Sequence, residues 1–488
     1  MALRQQAISG VKWSGISMGV VTAIQFLTTA VLARLLSPSD FGLMAMMIVF
    51  IGFVQTFSDM GVSNAIIYRQ HATTDQLSSL YWLNMIAGTV IFFLVCVCVP
   101  FILAFFHEPS LRNLLYLIAF TFLITPLGQQ FQVLLQKDLR FNRLAKIEIE
   151  TSSVYSLTAI ILAFLDFGVS AMVWGFLAST AAKALLLCKV GWQDWKPRFH
   201  FSGHDLKGYM SFGLYQMGER GITYLNSNLD CLLIGSMLGA DSLGYYTLAY
   251  NLIIKPSTLI NPVITKVAFP IFAKIQHETR RLKSGYLRVL QLLTTINFPI
   301  ISGLAIAAPT FVPVVFGEQW RPSIVLVQVL SIVGLLRSTG NPVGSLVLAK
   351  GRADLGFKWN LGLTVTQVPV LYIGAKMGGA VGVAAASSLM QVVYCLFTYI
   401  ILIRTLIGPC LRDYIGSVWP SLWMSGVMAL VVLSIHGLFP TMPEPILLSI
   451  QLLAGVLVFL ALMISWQRRR FNEIKNLFSN GVVSAAKE

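Results

Sequence analysis

Charge is scarce in this chain of 488 residues, because only 11% of them are Asp, Glu, Lys or Arg while 56% are hydrophobic. A soluble globular chain has roughly a quarter charged residues, so water is not the main solvent of this protein. The apolar residues occur in successive runs of about 20, each long enough to cross a hydrocarbon core of about 30 Å as a helix. The sequence therefore predicts an all-α polytopic membrane protein.

Motifs that carry chemistry are also missing. The sequence has no glycine-rich phosphate loop, no HExxH zinc motif and no Ser-His-Asp pattern outside the apolar runs. The six cysteines show neither a disulfide framework nor metal-ligand spacing. The net charge of +15 is not accompanied by a nucleic-acid-binding motif. We therefore expect no enzyme, no metal, no cofactor and no nucleic-acid partner.

About fourteen segments are predicted to be transmembrane helices. Most of the 35 Lys and Arg residues fall in loops on the side of the N-terminus, whereas Arg34, Arg112, Arg321 and Lys376 fall on the other side. By the positive-inside rule, this asymmetry predicts that both termini are cytoplasmic. The predicted spans lie near residues 14–36, 42–66, 80–105, 113–135, 148–166, 170–190, 208–236, 245–273, 288–316, 324–347, 358–375, 379–403, 416–437 and 446–466.

Two predicted turns, about 200 residues apart, have similar sequences. Leu36-Ser37-Pro38-Ser39-Asp40-Phe41-Gly42 follows the first span, and Leu238-Gly239-Ala240-Asp241-Ser242-Leu243-Gly244 follows the seventh. A duplicated unit of six spans keeps its orientation, so the similarity predicts two six-helix lobes in a parallel repeat about a pseudo-twofold axis, with a cavity between them. The alternative is chance, because Gly, Ser and Asp are common in turns.

The repeat also predicts the domain organisation. The N-terminal lobe would comprise residues 1–190 and the C-terminal lobe residues 208–404, joined by a basic cytoplasmic linker at 191–207 whose tryptophans are expected at headgroup depth. Residues 405–467 would add two helices outside the repeat, and residues 468–488 would form a basic cytoplasmic tail.

Ionisable residues inside the predicted spans indicate a polar cavity, because each costs roughly 2.5–3.5 kcal/mol at the bilayer centre unless water or a partner meets it. Arg220, Lys255 and Arg337 are the cations that we predict to bind an anionic headgroup. Structural ion pairing is the alternative. Further candidates for the cavity or for coupling to H+ or Na+ are Asp59, Glu219, Asn226, Asp230 and Asn341. Gln129 and Gln130 would contact sugar hydroxyls or form hydrogen bonds between helices.

Several short motifs together resemble one family. They are Asp59-Met60-Gly61, Gly128-Gln129-Gln130-Phe131, Asn261-Pro262, Phe269-Pro270, Phe316-Gly317-Glu318 and the stretch from Gly334 to Pro342 that contains Arg337. With them, the chain resembles the polysaccharide transporter branch of the multidrug, oligosaccharidyl-lipid and polysaccharide (MOP) flippase superfamily, and within it colanic-acid-type exporters.

The resemblance implies a flippase in a bacterial inner membrane, with fourteen helices in two lobes, that moves undecaprenyl-pyrophosphate-linked oligosaccharide from the cytoplasmic to the periplasmic leaflet by alternating access. It also implies membrane lipid, and the polymerase and chain-length regulator of the same pathway, as partners. Of the predicted cations, only Arg337 lies in a matched motif. The alternative function is a multidrug or small-molecule exporter of the same fold, although such cavities typically centre on carboxylates.

Overall fold

The computed structural model of the protein describes residues 2–58, 66, 73–203, 206, 210–439 and 441–467. Within these ranges, twelve helices are long and apolar enough to span a membrane. Many large apolar side chains on these helices are exposed, as a lipid-facing surface requires. The chain is therefore a multi-pass membrane protein made of helices, and it divides into two compact units.

The first unit comprises Met1–Gly244. In it, α6 packs against α1 and α7, and α5 packs against α3 and α7. The helices are α1 (Ala2–Leu35), α2 (Pro38–Ser58), α3 (Thr74–Phe106), α4 (Leu111–Ala119), α5 (Thr121–Lys137), α6 (Phe141–Phe164), α7 (Val169–Gly191) and the first part of α8 (Met210–Lys274).

Small and hydroxyl side chains hold the helices of the first unit together. The Ser17 hydroxyl on α1 donates to the Glu148 carboxylate on α6 at 2.7 Å. Further along the same two helices, α1 and α6, the hydroxyls of Thr28 and Ser156 lie 2.5 Å apart. Lipid offers no hydrophobic driving force between apolar helices, so such contacts and close packing carry much of the association.

A kink divides α8 at Gly239, where the backbone dihedrals are not helical and φ is +80°. The turn between α1 and α2 reaches this kink. A Cβ added to Gly42 would lie 1.8 Å from the Ala240 carbonyl oxygen, and one added to Gly244 would lie 1.9 Å from the Pro38 carbonyl oxygen. Only glycine fits at either position, because any side chain would overlap backbone. We call this reciprocal contact the glycine clasp.

The second unit comprises Tyr245–Glu488. In it, α9 packs against α10, α13 and α14, and α10 packs against α11. Its helices are the second part of α8, α9 (Thr279–Phe316), α10 (Ser323–Ala349), α11 (Ala353–Phe397), α12 (Arg404–Ile407), α13 (Leu411–Leu438) and α14 (Glu444–Trp466), with a π-helical segment at Thr398–Ile403.

Buried hydroxyls join α9 to α13 in the second unit. Ser417, Ser421 and Ser425 follow one another at intervals of four residues on α13, and all three are buried. The Ser421 hydroxyl lies 3.3 Å from that of Thr294 and 3.1 Å from that of Thr295, both on α9. Serines at this spacing let two helix backbones approach closely and form hydrogen bonds across the interface.

Two of the twelve apolar helices are about twice as long as one crossing needs. Arg220–Lys274 has 55 residues and Asp354–Ile407 has 54, whereas about 20 residues span the hydrocarbon. The second of these is interrupted at Gly378 and Gly379, where the dihedrals leave the helical region. The backbone segments on either side of this interruption lie close together, because a Cβ on Gly382 would lie 2.0 Å from the Gly374 carbonyl oxygen.

Candidate functional site

The first part of α8 packs tightly on α2, which fixes the orientation of its polar face. A Cβ on Gly52 of α2 would lie 2.0 Å from the Tyr224 hydroxyl oxygen, so the tyrosine occupies the space that glycine leaves. The Tyr224 hydroxyl donates to the Ile48 carbonyl at 3.1 Å. Phe57 fills the equivalent space over Gly221, at 3.0 Å from its added Cβ. Around α8, Asn226 and Asp230 lie roughly opposite this contact face, whereas Arg220 lies one turn before Tyr224 on the same face.

Three predicted site residues lie on this part of α8. Arg220 is exposed, Asn226 is half-buried and Asp230 is buried. The Asp230 carboxylate accepts a hydrogen bond from the backbone N–H of Cys231 at 2.9 Å. The Asn226 side-chain oxygen is buried and finds no hydrogen-bond donor in the described part of the chain. A carboxylate and an amide oxygen one helical turn apart are ligands of the type that hard cations use, but two are too few to define a metal site.

Two further predicted site residues are not covered by the structure. Asp59 and the side chain of Glu219 lie outside the described residues. Their proposed roles in the cavity stay predictions.

The two predicted glutamines of α5 differ in their surroundings. Gln130 is buried, and its amide nitrogen donates to the Leu77 carbonyl of α3 at 2.7 Å. Its side-chain oxygen is buried and without a hydrogen-bond donor among the described residues. Gln129, by contrast, is half-buried. Of the two interpretations that the sequence left open, the geometry of Gln130 favours a hydrogen bond between helices.

In the second unit, Arg337 on α10 is exposed and held by a tyrosine. Its guanidinium donates to the Tyr250 hydroxyl on α8 at 2.9 Å. Tyr250 is in turn stacked on Tyr246, with ring centroids 5.9 Å apart and an angle of 21° between the planes. Tyr246 is fully buried. A buried ring therefore supports the tyrosine that orients the guanidinium of Arg337.

Asn341 and Lys255 complete the predicted set in this unit. Asn341 is exposed and lies one helical turn after Arg337, on the same face of α10. Lys255 is exposed on the second part of α8, directly before Pro256. Arg337 and Lys255 thus belong to the second unit and Arg220 to the first. A cavity shared by the three cations stays a prediction.

The sequence analysis missed a buried polar cluster between α8 and α9. The Asn297 amide nitrogen donates to the Asn261 side-chain oxygen and to the Leu293 carbonyl, both at 2.9 Å. The Ser257 hydroxyl donates to the Asn297 side-chain oxygen at 3.3 Å. Each of the three residues lies one or two positions from a proline, and that spacing was the signal that could have identified them. Polar side chains inside apolar helices form hydrogen bonds of this kind between neighbouring helices.

Tyr250 was missed as well, for a different reason. Nothing in the spacing of Tyr250 separates it from the many tyrosines at membrane interfaces. Its role depends on Arg337, which is 87 positions away in the sequence.

An apolar groove runs along α13 on the outside of the second unit. It has a volume of about 380 Å³, and its walls include Ile306 of α9 with Trp419, Trp423, Gly426 and Leu430 of α13. Trp419 and Trp423 are both exposed. The groove can accept a hydrocarbon chain, because its walls are almost entirely apolar.

Comparison with known protein sequences assigns the chain to a family. Residues 31–325 match the family model described as "Polysaccharide biosynthesis protein". The lipopolysaccharide biosynthesis protein WzxC of Escherichia coli K12 is 37% identical over 428 residues, which cover 87% of this chain and 86% of that protein. The teichuronic acid biosynthesis protein TuaB of Bacillus subtilis 168 is 36% identical over 466 residues, which cover 95% of this chain and 96% of that protein.

Solved structures show the same fold at low sequence identity. The lipid II flippase MurJ in an inward closed conformation has a TM-score of 0.77 at 15% identity, and the match covers 94% of this chain and all of that one. An inward-facing multidrug resistance MATE family transporter of the MOP superfamily has a TM-score of 0.63 at 15% identity, and the match covers 78% of this chain and 93% of that one. At these identities the likeness concerns the fold alone.

Proposed function

Because the chain belongs to the polysaccharide biosynthesis protein family, we propose that it is a flippase of the MOP superfamily for undecaprenyl-pyrophosphate-linked oligosaccharide repeat units. The repeat unit would serve exopolysaccharide, capsule or O-antigen biosynthesis. The observation that carries the proposal is sequence similarity along nearly the whole chain to proteins of lipopolysaccharide and teichuronic acid biosynthesis.

The oriented cation of the second unit supports an anionic headgroup as substrate. Moving a pyrophosphate through bare hydrocarbon would cost on the order of tens of kcal/mol, so the path must supply positive charge. Arg337 has a planar guanidinium that can bind phosphate oxygens through two parallel hydrogen bonds. Tyr250 accepts a hydrogen bond from that guanidinium and so orients it. Lys255 and Arg220 would add charge as the headgroup moves.

The apolar groove on α13 supports a substrate with a lipid tail. An isoprenoid chain must stay in hydrocarbon while its headgroup crosses, and an apolar groove on the lipid-exposed side of a helix is suited to it. An exporter of cationic drugs would be expected to centre its cavity on carboxylates, whereas the predicted cavity residues here include the three cations Arg220, Lys255 and Arg337.

The orientation and the helix count follow from the same proposal. Counting each of the two kinked helices as two crossings gives the fourteen spans that the sequence predicts, with both termini in the cytoplasm of a bacterial cell. We propose alternating access between the lobes predicted at residues 1–190 and 208–404. Coupling to H+ or Na+ would involve Asp230 and Asn226, whose oxygens lie one turn apart on α8. The polymerase and chain-length regulator of the pathway are the proposed protein partners.

The test is to delete the gene and follow lipid-linked intermediates. We expect intact repeat units on undecaprenyl pyrophosphate to accumulate in the cytoplasmic leaflet, where an enzyme added to the periplasmic side cannot reach them. Complementation with the wild-type gene should restore access. If no lipid-linked oligosaccharide accumulates, the flippase assignment is wrong and small-molecule export becomes the leading function.

A further inference from the structure

The segment after α7 is tied down along the end of the first unit. Residues 192–203, here called the strap, begin with a turn at 192–194 and contain no helix or strand. The backbone N–H groups of Arg198 and Ser202 donate to the buried hydroxyls of Ser78 and Ser79, both at 3.1 Å. These two serines lie near the start of α3. The strap therefore has a fixed position even though it is not helical.

Aromatic and ionic contacts add to these hydrogen bonds. Trp195 packs between the rings of Tyr81 and Phe131, with centroid distances of 6.1 and 5.7 Å. Arg140 and Asp194 form a salt bridge of 2.5 Å at the start of the strap. Trp195, which we expected at headgroup depth, is thus engaged inside the unit.

Phe199 differs from Trp195, because it is held in place by its neighbours and yet is 97% exposed. Its ring stacks on that of Trp82, at 5.3 Å between centroids and 23° between planes. The indole N–H of Trp82 donates to the Arg198 carbonyl at 2.8 Å, which locks the pair. A phenylalanine side chain gains roughly 1.5–3 kcal/mol when its surroundings change from water to an apolar phase, so this ordered ring is suited to apolar surroundings.

The position of Trp82 identifies those surroundings as lipid. Along α3 an exposed apolar stripe continues from Trp82 at helical spacing, through Ile86, Val90, Phe93, Val97 and Phe101. Such a stripe on a long apolar helix faces hydrocarbon. From Trp82 to Phe101 the helix rises about 29 Å at 1.5 Å per residue, which matches the thickness of a hydrocarbon core. Trp82 and Phe199 therefore mark one boundary of the bilayer.

Cations flank this boundary. Lys189 at the end of α7 and Lys196 in the strap are both exposed, and the Arg198 side chain is exposed beside Asp75 at 3.7 Å. Aromatic rings at headgroup depth next to Lys and Arg are the arrangement that binds anionic lipid surfaces.

We propose that the strap is an anionic-phospholipid interaction surface, in which Phe199 inserts into the leaflet on the side of the basic loops and Lys189 and Lys196 bind lipid headgroups. The inserted ring and the two cations act on the same few lipid molecules. The proposal is independent of what the protein transports.

The experiment places the photoreactive analogue p-benzoylphenylalanine at position 199 of the full chain, reconstituted in vesicles of phosphatidylethanolamine with phosphatidylglycerol. After irradiation, mass spectrometry identifies the adducts. We expect lipid adducts in which the ratio of phosphatidylglycerol to phosphatidylethanolamine exceeds the bulk ratio about fivefold or more, because about 1 kcal/mol per surface cation corresponds to that factor. In the Lys189→Gln/Lys196→Gln variant the ratio should fall to that of the bulk lipid.

Position 101 supplies the matched control, since Phe101 is exposed on the same stripe of α3 near its other end. There we expect lipid adducts that are unchanged by the two lysine substitutions. Adducts at 199 to a protein, or no lipid adducts, would overturn the proposal. A lipid share at 199 equal to bulk, or unaffected by loss of both lysines, would overturn the headgroup contact.

Discussion

At the scale of single residues, Arg337 is the side chain on which the substrate proposal depends most. It is exposed on α10, and one of its five donors is engaged by the Tyr250 hydroxyl. Tyr250 therefore acts as a positioning residue, and its own ring is held by the buried Tyr246. Substitutions at Arg337 and at Tyr250 can therefore test the charge and the orientation of the guanidinium separately.

We predict that Arg337→Ala abolishes export while the protein remains inserted at wild-type level. Tyr250→Phe keeps the stacked ring but removes the hydrogen-bond acceptor, so export should fall roughly tenfold, in line with about 1.5 kcal/mol for a hydrogen bond to a charged group. Arg352→Ala is the control, because Arg352 is exposed in a turn and pairs with Asp354 at 2.9 Å. Surface polysaccharide of a complemented deletion strain is the readout, and wild-type export by Arg337→Ala would refute the cationic site.

The sequence predicted the types of polar residue at the site better than their partners. Arg337, Asn341 and Lys255 stand out because charged and amide groups are rare in apolar segments. Tyr250 does not stand out, since its importance comes from a contact across the fold. Gln130 shows the same limit, because its amide reaches Leu77, 53 positions earlier in the chain.

At the scale of helices, polar clusters connect neighbours that would otherwise share only apolar contacts. In the second unit Asn297 bridges α9 to α8, and Ser421 bridges α13 to α9. Both residues are fully buried. Each cluster lies at prolines or at small residues, where two backbones can approach or where backbone groups need partners.

We predict that Asn297→Ala weakens the second unit, because it leaves the Asn261 side-chain oxygen buried without its donor. The loss should be about 1 kcal/mol, typical of an interhelical hydrogen bond in a membrane protein, or roughly 2–4 °C in melting temperature. Thermal unfolding of purified protein in detergent, followed with a thiol-reactive dye, measures it. Ser434→Ala is the control, since Ser434 is exposed and bonds only to its own helix. Equal melting temperatures for Asn297→Ala and wild type would contradict the bridging role.

The sequence located one of the helix breaks and missed another. It placed separate spans at 208–236 and 245–273, and the backbone dihedrals leave the helical region between them, at Gly239. The predicted span at 113–135, by contrast, is two helices, α4 and α5, which meet at Phe120. Hydropathy reports the solvent around a segment, and a break inside one apolar run does not change that solvent.

At the scale of the whole molecule, the glycine clasp joins the two turns whose similarity suggested an internal repeat. Gly42 meets Ala240, and Gly244 meets Pro38. In the alignment of the two turns, Gly42 corresponds to Gly244 and Pro38 to Ala240. The contact is therefore reciprocal, as expected when equivalent segments meet about a twofold axis. The repeat itself stays a prediction, and this reciprocity supports it.

We predict that Gly42→Val and Gly244→Val each prevent the clasp from closing, because the added Cβ would lie under 2 Å from a backbone oxygen. Under the alternating-access proposal, each variant should insert normally but lose at least tenfold in export. Gly416→Val is the control, since no described atom lies within 4 Å of its added Cβ. Surface polysaccharide and the amount of protein in membranes are measured together. Normal export by both valine variants would show that the clasp is dispensable.

The clasp also has a consequence for how the protein is made. Its two halves lie about 200 residues apart in the sequence, so a ribosome adding roughly 5–20 residues per second separates their appearance by about 10–40 s. Throughout that interval α1 to α7 are in the membrane with the backbone of Gly42 uncovered. A nascent chain stalled before Ala240 should thus remain open to membrane quality-control proteases, and release of the next 10 residues should mark the onset of its protection.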